Sequence, residues 1–439
     1  MVLKRIYKEF LMKIVGLITE YNPFHNGHQY HIQAAKEVTG ADIAVVIMSG
    51  DYVQRGTAAI MPKRLRAEMA LKCGAAAVFE LPVCYATGSA ELFAYGAVSF
   101  LDQLGIVDSL CFGSECGDLE GMEAAADILL EEPEAYQTRL KDCLKQGMSF
   151  PSAREEALTA CMETEPYSIL LRDPNNILGV EYLKALKKRG SKIRPYTIRR
   201  KGSHYHDQDL KSPFGSASAI RSLLAYSGCA LSGVSSAHTF ENTPFVNILG
   251  ELEEQVPQSC LELLKDYHRV KYPIYQNDFS LILKYKLLNK RPETLPRYMD
   301  VSRDLANRIC GQLNDYFNYK QFCELVKTRD VTQTRINRAL LHIMLGIKKT
   351  AVNEYLENGP HFYARLLGFR RDCEKVVSAI AKKSPLPLLT RPYDDQGIEP
   401  AGRKMLTHDI LASNLYTSVV TDKYKTAFEN EYNQGILKI

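Results

Sequence analysis

In the stretch GLITEYNPFHNGHQYHI, residues 16–32, two histidines stand three apart around an asparagine and a glycine, directly after an apolar run. A strand end, a sharp turn and a helix start near His28 expose unpaired backbone N–H groups and a partial positive charge, a natural cradle for an anion. Gly27 lets the backbone approach a ligand where a side chain would obstruct it. The imidazoles of His25 and His28 can donate to phosphate oxygens at the mouth of that cradle. In nucleotidyl transfer, charge builds on the α-phosphate as pyrophosphate leaves, and donors fixed there stabilise the transition state rather than the ground state. His25, His28 and His31 also read as a metal-ligand face, but such sites want a carboxylate or thiolate partner and only Glu20 precedes them. No metal ligands are assigned.

A second group lies far downstream. GSASAIR, residues 215–221, supplies the hydroxyls of Ser216 and Ser218 and the guanidinium of Arg221 at a helix starting near Ala217. Hydroxyls, free N–H groups and one guanidinium suit the β- and γ-phosphates of ATP. Ser-rich caps with an arginine one turn on are common, so the string gains weight only beside the histidine turn. Asp51 and Arg55 in GDYVQRG follow a strand end, where they hold a substrate or each other. Gly113, ending another strand, lets adenine pack on backbone. Asn176 reads an adenine edge or ribose, or simply caps a turn in PNN.

The elements that must carry these residues follow from hydrophobic spacing. Short continuous apolar runs at Lys13–Thr19, Asp42–Met48, Ala76–Leu81 and Asp108–Phe112 predict parallel strands buried on both faces, and Lys192–Ile198 predicts another. Helical spacing at His28–Val38, Arg64–Cys73 and Glu91–Leu104 alternates with them. This rhythm predicts an α/β fold: a Rossmann-like domain with a parallel sheet and ligands at the carboxyl ends of its strands. From about Phe240 strand signals thin out and a mainly α-helical C-terminal domain follows. The expected division is an extension over 1–11, a catalytic domain over 12–235 and a helical domain over 240–439.

Bulk composition excludes little by itself. At 439 residues with 46% hydrophobic and 24% charged residues, the chain reads as globular with two or more cores. The formal charge of +4 names no partner, but its distribution is uneven: residues 320–391 hold 14 Lys or Arg against 6 Asp or Glu, a local net of +8. There the spacing sets Ile336, Ala339, Leu340, Ile343 and Met344 on one helical stripe and Arg335, Arg338 and His342 on another. The second stripe, extended by Lys348, Lys349, Arg370 and Arg371, could track phosphates, with Tyr363 or Phe369 stacking on an unpaired base. The 11 cysteines are scattered with no Cys-x-x-Cys pair, which predicts reduced thiols, no disulfide-linked partner and a cytoplasmic location. No apolar run reaches the ~18 residues of a membrane helix. Nothing here predicts membrane association.

HNGH and GSASAIR together resemble the signatures of the HIGH-type nucleotidyltransferase superfamily. With MSGDYVQRGTAAIMPKRLRAEMALKCGAAAVFELP (48–82), FGSE (112–115), PNNILGVEYLKAL (174–186) and YHD (205–207), the chain is similar to the bacterial tRNA(Met) cytidine acetate ligases. The resemblance implies an enzyme that makes acetyl-adenylate from ATP and acetate. It then passes the acetyl group to the wobble cytidine of elongator tRNA(Met), giving N4-acetylcytidine. Carried over by motif, the ATP-binding residues are Gly16, Leu17, Thr19, Glu20, Tyr21, Asn22, Pro23, Phe24, His25, Asn26, Gly27 and His28, with Gly113, Asn176, Arg199 and Arg200. Lys201 competes with the arginine pair. Gly215 and Ala217 depart from the related signature, leaving Ser216 and Ser218 to bind. Asp51, Arg55, Arg335, Arg338, Lys348 and Lys349 are the substrate and tRNA candidates. Mg²⁺ is expected to accompany ATP, although no carboxylate cage is legible. The rival readings are an adenylyltransferase for a small cofactor precursor and an ATP-sensing tRNA binder without chemistry.

Overall fold

The computed structural model describes residues 12–162, 170–200, 215–229, 243–329, 331–394 and 396–439. The extension at 1–11, Lys201, YHD at 205–207 and the domain boundary at 235–240 lie outside the described residues.

The Val- and Ile-rich runs form strands β1 (Ile14–Thr19) and β2 (Ile43–Ser49), followed by a small hairpin of β3 (Tyr52–Val53) and β4 (Thr57–Ala58). Then come β5 (Ala77–Leu81), β6 (Ser109–Ser114) and β7 (Arg194–Arg199). Apart from the hairpin these strands pair in parallel, in the spatial order β5-β2-β1-β6-β7. The central strands β1, β2 and β5 are largely apolar on both faces because helices cover both faces, whereas β7 at the edge is only partly buried. The chain builds outward from β1 through β2 to β5, then returns to the other side of β1 for β6 and β7. The strand order therefore reverses at β1, and the crevice beyond Thr19 and Ser114 is where such sheets bind ligands.

The C-terminal segment is more than a helical annex. β8 (Ala364–Phe369) adds antiparallel to β5, and β9 (Leu388–Leu389) and β10 (Leu437–Lys438) pair with β8, completing an eight-stranded sheet. The mainly helical C-terminal region expected after Phe240 is present, and these three short strands are added to it. ARLLGF carries an arginine and a glycine among its six residues, so its apolar run is too broken to read as a buried strand. Phe369 and Tyr363 are buried, and the Tyr363 hydroxyl donates to Asp409 Oδ2 at 2.5 Å, so neither ring is placed to stack on a base.

A buried ionic cluster joins this segment to the first strands. Lys63 Nζ lies 2.7 Å from Glu80 Oε1, 3.1 Å from Glu431 Oε1 and 2.6 Å from Ser413 Oγ. Arg365 lies 3.1 Å from Glu80 and also pairs with Glu431. Burial would raise the Glu431 carboxyl, but Lys63, Arg365 and Arg64 hold it down to about 2. Asp51 belongs to this cluster too: it is buried, accepts the Lys63 backbone N–H at 2.7 Å and sits 4.0 Å from its ammonium. Its carboxylate is thus spent on the helix start at Lys63 and pairs with neither a substrate-facing group nor Arg55.

Candidate functional site

At the end of β1 the backbone turns sharply: Tyr21 adopts φ +48°, and the Asn22–Pro23 peptide is cis. The buried Phe24 pins the turn, and His25 caps the helix Asn26–Thr39. The cap is built from imidazoles. Gly27 N–H donates to His25 Nδ1 at 3.0 Å, and His25 N–H donates to His28 Nδ1 at 3.3 Å, a reciprocal capping box in which histidine takes both side-chain roles. The two rings lie 3.8 Å apart between centroids at 32°. A Cβ on residue 27 would fall 2.8 Å from His25 Cε1, so this ring position requires glycine.

The hydrogen bonds settle the tautomer. Each Nδ1 accepts from a backbone N–H, so each neutral ring carries its proton on Nε2. Burial, then Arg200 and Arg221, push the His25 imidazole down to about 3. Burial, then His25 and Arg200, lower His28, and burial with Arg200 brings His31 down to about 4. At neutral pH the turn therefore offers two uncharged Nε2–H donors.

These donors open on a cleft of ≈ 870 Å³ beyond the carboxyl ends of β1 and β6. Thr19, Glu20, Tyr21, Asn22, His25, Gly27 and His28 line it, together with Gly113, Arg199, Arg200, Ser216, Ser218 and Arg221. Residues 216–221 are locked to the histidine turn: Arg221 Nη1 donates to Asn22 O at 2.6 Å and Nη2 to Ser218 Oγ at 2.9 Å. Ser216 Oγ accepts from Ala219 N–H at 3.1 Å, capping its helix. Two motifs far apart in sequence thus meet across one cleft.

Other expected residues stand behind it. Gly16 gives the helix Ala90–Gln103 room to pack, since a Cβ there would lie 2.7 Å from Leu101 Cδ2. Leu17 and Phe24 are core, Pro23 shapes the turn, and Asn26 Nδ2 donates to Glu254 O at 2.8 Å. Asn176 is buried, and its Oδ1 accepts from Glu115 N–H at 2.9 Å and Cys116 N–H at 3.2 Å, the turn-making role. Arg55 lines the cleft from the β3–β4 hairpin.

The basic helical stripe is corrected. On the helix Gln333–Leu345, Arg335 is exposed, but Arg338 is 8% exposed and His342 fully buried. Arg338 forms a two-point pair with Asp300, at 2.8 Å through Nε and 3.2 Å through Nη2, and lines the cleft. His342 Nε2 lies 3.0 Å from Thr87 O. The helix packs on Ser280–Leu288, Tyr319–Val326 and the β4 hairpin strand, which leaves little of its circumference to solvent. Lys348 and Lys349 remain exposed, the latter donating to Val301 O at 3.0 Å.

One residue that braces the cleft wall has no sequence signal. Arg66, within the expected helix Arg64–Cys73, belongs to no motif, yet it is fully buried. Its guanidinium donates to the carbonyls of Glu20, Ser49, Gly50 and Met61, tying together the loops after β1 and β2. These four carbonyls would otherwise lack a donor inside the cleft wall.

The sequence matches the HIGH Nucleotidyl Transferase family over residues 12–431. A tRNA(Met) cytidine acetate ligase of Thermoanaerobacter sp. (strain X514) is 43% identical over 407 residues, covering 92% of this chain and 95% of the relative. That of Alkaliphilus metalliredigens is 37% identical over 432 residues, covering 96% and 97%. The crystal structure of Thermotoga maritima TmcAL bound with alpha-thio ATP superposes with a TM-score of 0.84 at 31% identity, covering 98% of this chain and all of that one. The apo form of the same protein gives 0.86. Since the histidine turn and its arginine-bearing counterpart meet on a sheet of this topology, and the likeness runs nearly end to end, the chain belongs to the HIGH nucleotidyl transferase family and, within it, to the tRNA(Met) cytidine acetate ligases.

Proposed function

We propose that this chain activates acetate with ATP and acetylates the wobble cytidine of elongator tRNA(Met), giving N4-acetylcytidine, AMP and pyrophosphate. The observation that carries the reading is the pair of neutral, Nε2-protonated imidazoles facing Arg221 and Ser218 across one cleft. Acetate oxygen attacks the α-phosphorus, and the Nε2–H groups of His25 and His28 donate to the α-phosphate oxygens as charge accumulates there. Arg199, Arg200, Arg221, Ser216 and Ser218 take up the departing pyrophosphate. Gly113 lies under the adenine, beside the turn that Asn176 braces.

Among the described residues no group of three or more His, Cys, Asp or Glu is placed to hold a metal ion. The donor set therefore fits Mg²⁺ arriving on the triphosphate and held by phosphate oxygens, rather than by a protein cage. The ion would offset phosphate charge; orientation and donation at the α-phosphate fall to the histidines and arginines. Exposed Arg335, Lys348 and Lys349 suit tRNA phosphates. No helix among the described residues is long and apolar enough to cross a membrane.

Mass spectrometry of elongator tRNA(Met) incubated with the protein, ATP and isotopically labelled acetate tests donor, acceptor and reaction together. The expected product carries one labelled acetyl group on the wobble cytidine. Unmodified tRNA with no acetate-dependent pyrophosphate release would overturn the reading.

A further inference from the structure

The cleft is strongly one-sided in charge. Arg55, Arg199, Arg200 and Arg221 line it along with three histidines, as do Arg154 and Arg338, which pair with Glu181 and Asp300, whereas Glu20 is the only carboxylate among the described residues that line it. A carboxylate in such surroundings weakens phosphate binding unless it serves another purpose. Its placement is tightly specified: Gln54 N–H donates to Oε1 at 2.9 Å, and Arg66 holds its backbone carbonyl. No described residue donates to Oε2. Glu20 is thus tied to the β3–β4 hairpin, whose Gly56 meets the backbone at Arg338; we call this hairpin side the far side of the cleft, as distinct from the phosphate side built by residues 25–28 and 216–221.

The second half-reaction needs a proton acceptor. The exocyclic amine of cytosine is a poor nucleophile because its lone pair is delocalised into the ring, so its N–H must be relieved as the new bond forms. His25 and His28 cannot accept that proton: each Nδ1 already accepts a backbone hydrogen bond and each Nε2 already carries hydrogen. His31 Nε2 is buried without a partner, and the same burial disfavours adding a proton there. No lysine or cysteine lines the cleft among the described residues. The Tyr182 phenol is pushed up by burial and by the Glu20 carboxylate itself, so it stays protonated.

We infer that Glu20 is the general base of acetyl transfer, with Oε2 taking the proton from the cytidine N4 amine. The inference rests on the acetate-ligase reading above. As the N4 lone pair forms a bond to the acetyl carbonyl carbon, the acyl C–O bond to the phosphate of AMP breaks. AMP leaves with that electron pair, and the N4 proton passes to Glu20 and then to solvent. The step is redox-neutral and needs no co-reactant. The far side of the cleft, with Arg338 fixed by Asp300, is then the target-nucleotide subsite, because N4 must lie within hydrogen-bond reach of Oε2.

Separating the two half-reactions tests this. Acetate-dependent ATP–pyrophosphate exchange reports adenylate formation; single-turnover transfer of labelled acetyl to elongator tRNA(Met) reports the second step. For Glu20→Gln, transfer should fall by about 100-fold or more, the usual loss when a positioned base is removed, and by at least about tenfold more than exchange falls. Glu20→Asp, keeping a shorter carboxylate, should recover part of the transfer rate. Retained exchange shows that the variant is folded. Transfer by Glu20→Gln near the wild-type rate overturns the assignment. Loss of both steps together also overturns it, and recovery of both at raised Mg²⁺ would make Glu20 a metal ligand. Failure of the underlying reading looks different: wild type itself would show neither exchange nor transfer.

Discussion

The two imidazoles of the capping box serve as helix cap and phosphate donor at once, and a single proton position serves both. Because the backbone occupies Nδ1, the donor atom Nε2–H is fixed without any further partner. His28→Ala removes one donor aimed at the α-phosphate, and loss of such a donor typically lowers a rate by about 10²–10³. Acetate-dependent pyrophosphate release by His28→Ala should fall by that factor while tRNA affinity persists; release at the wild-type rate would remove the ring from the chemistry. The same burial makes the turn acid-sensitive. His25 titrates at about 3 when folded but near 6.5 when unfolded, so the unfolded chain binds more protons between those values. Stability is therefore whole above pH 6.5 and declines as pH falls through that window, by on the order of 1–2 kcal/mol at pH 5 from this ring. Denaturant titrations of wild type and His25→Asn at pH 7 and pH 5 check it: the variant should lose less on acidification.

Between elements, the decisive contact is where the β3–β4 hairpin meets the helix Gln333–Leu345. Gly56 has φ +77°, and a Cβ there would lie 2.3 Å from Arg338 N and 2.6 Å from Asn337 C. The obstructing atoms are helix backbone, which cannot rotate aside. Gly56→Ala should cost more than about 1 kcal/mol from the left-handed conformation alone, and separating the two elements should slow acetyl transfer by moving Gln54, Arg55 and Arg338 together. A urea midpoint and a transfer rate both equal to wild type would show the contact to be slack. This is also where reading by element misleads. Helical spacing finds the apolar stripe of residues 336–344 correctly, and all five of its members are buried. It cannot tell that Arg338 and His342 face another element rather than water, since a polar face looks the same in sequence either way.

For the whole molecule, the C-terminal segment is part of the catalytic sheet. Glu431 joins Lys63 and Arg365, both buried, and removing one partner of such a group leaves uncompensated charge inside the protein. Glu431→Gln should lower the unfolding free energy by about 3–5 kcal/mol. Because β8 and β10 continue the sheet through β5, unfolding followed by both far-ultraviolet dichroism and tyrosine fluorescence should shift as one transition. Two separated transitions would mean that the halves fold independently.

The sequence alone determined the alternating strands and helices of the first 200 residues, the histidine turn and the seven-residue arginine-bearing string. Each of these is written in neighbouring residues: an apolar run, a helical period, a glycine between two histidines. The antiparallel return of β8, the interior fate of Lys63, Arg66, Asp51 and Arg338, and the solitude of Glu20 among arginines were decided only by the tertiary structure. Those outcomes depend on which charge meets which across up to 368 positions of chain, as between Lys63 and Glu431. Burial of a charge is set by the partners that folding brings to it, and a local pattern holds no record of them.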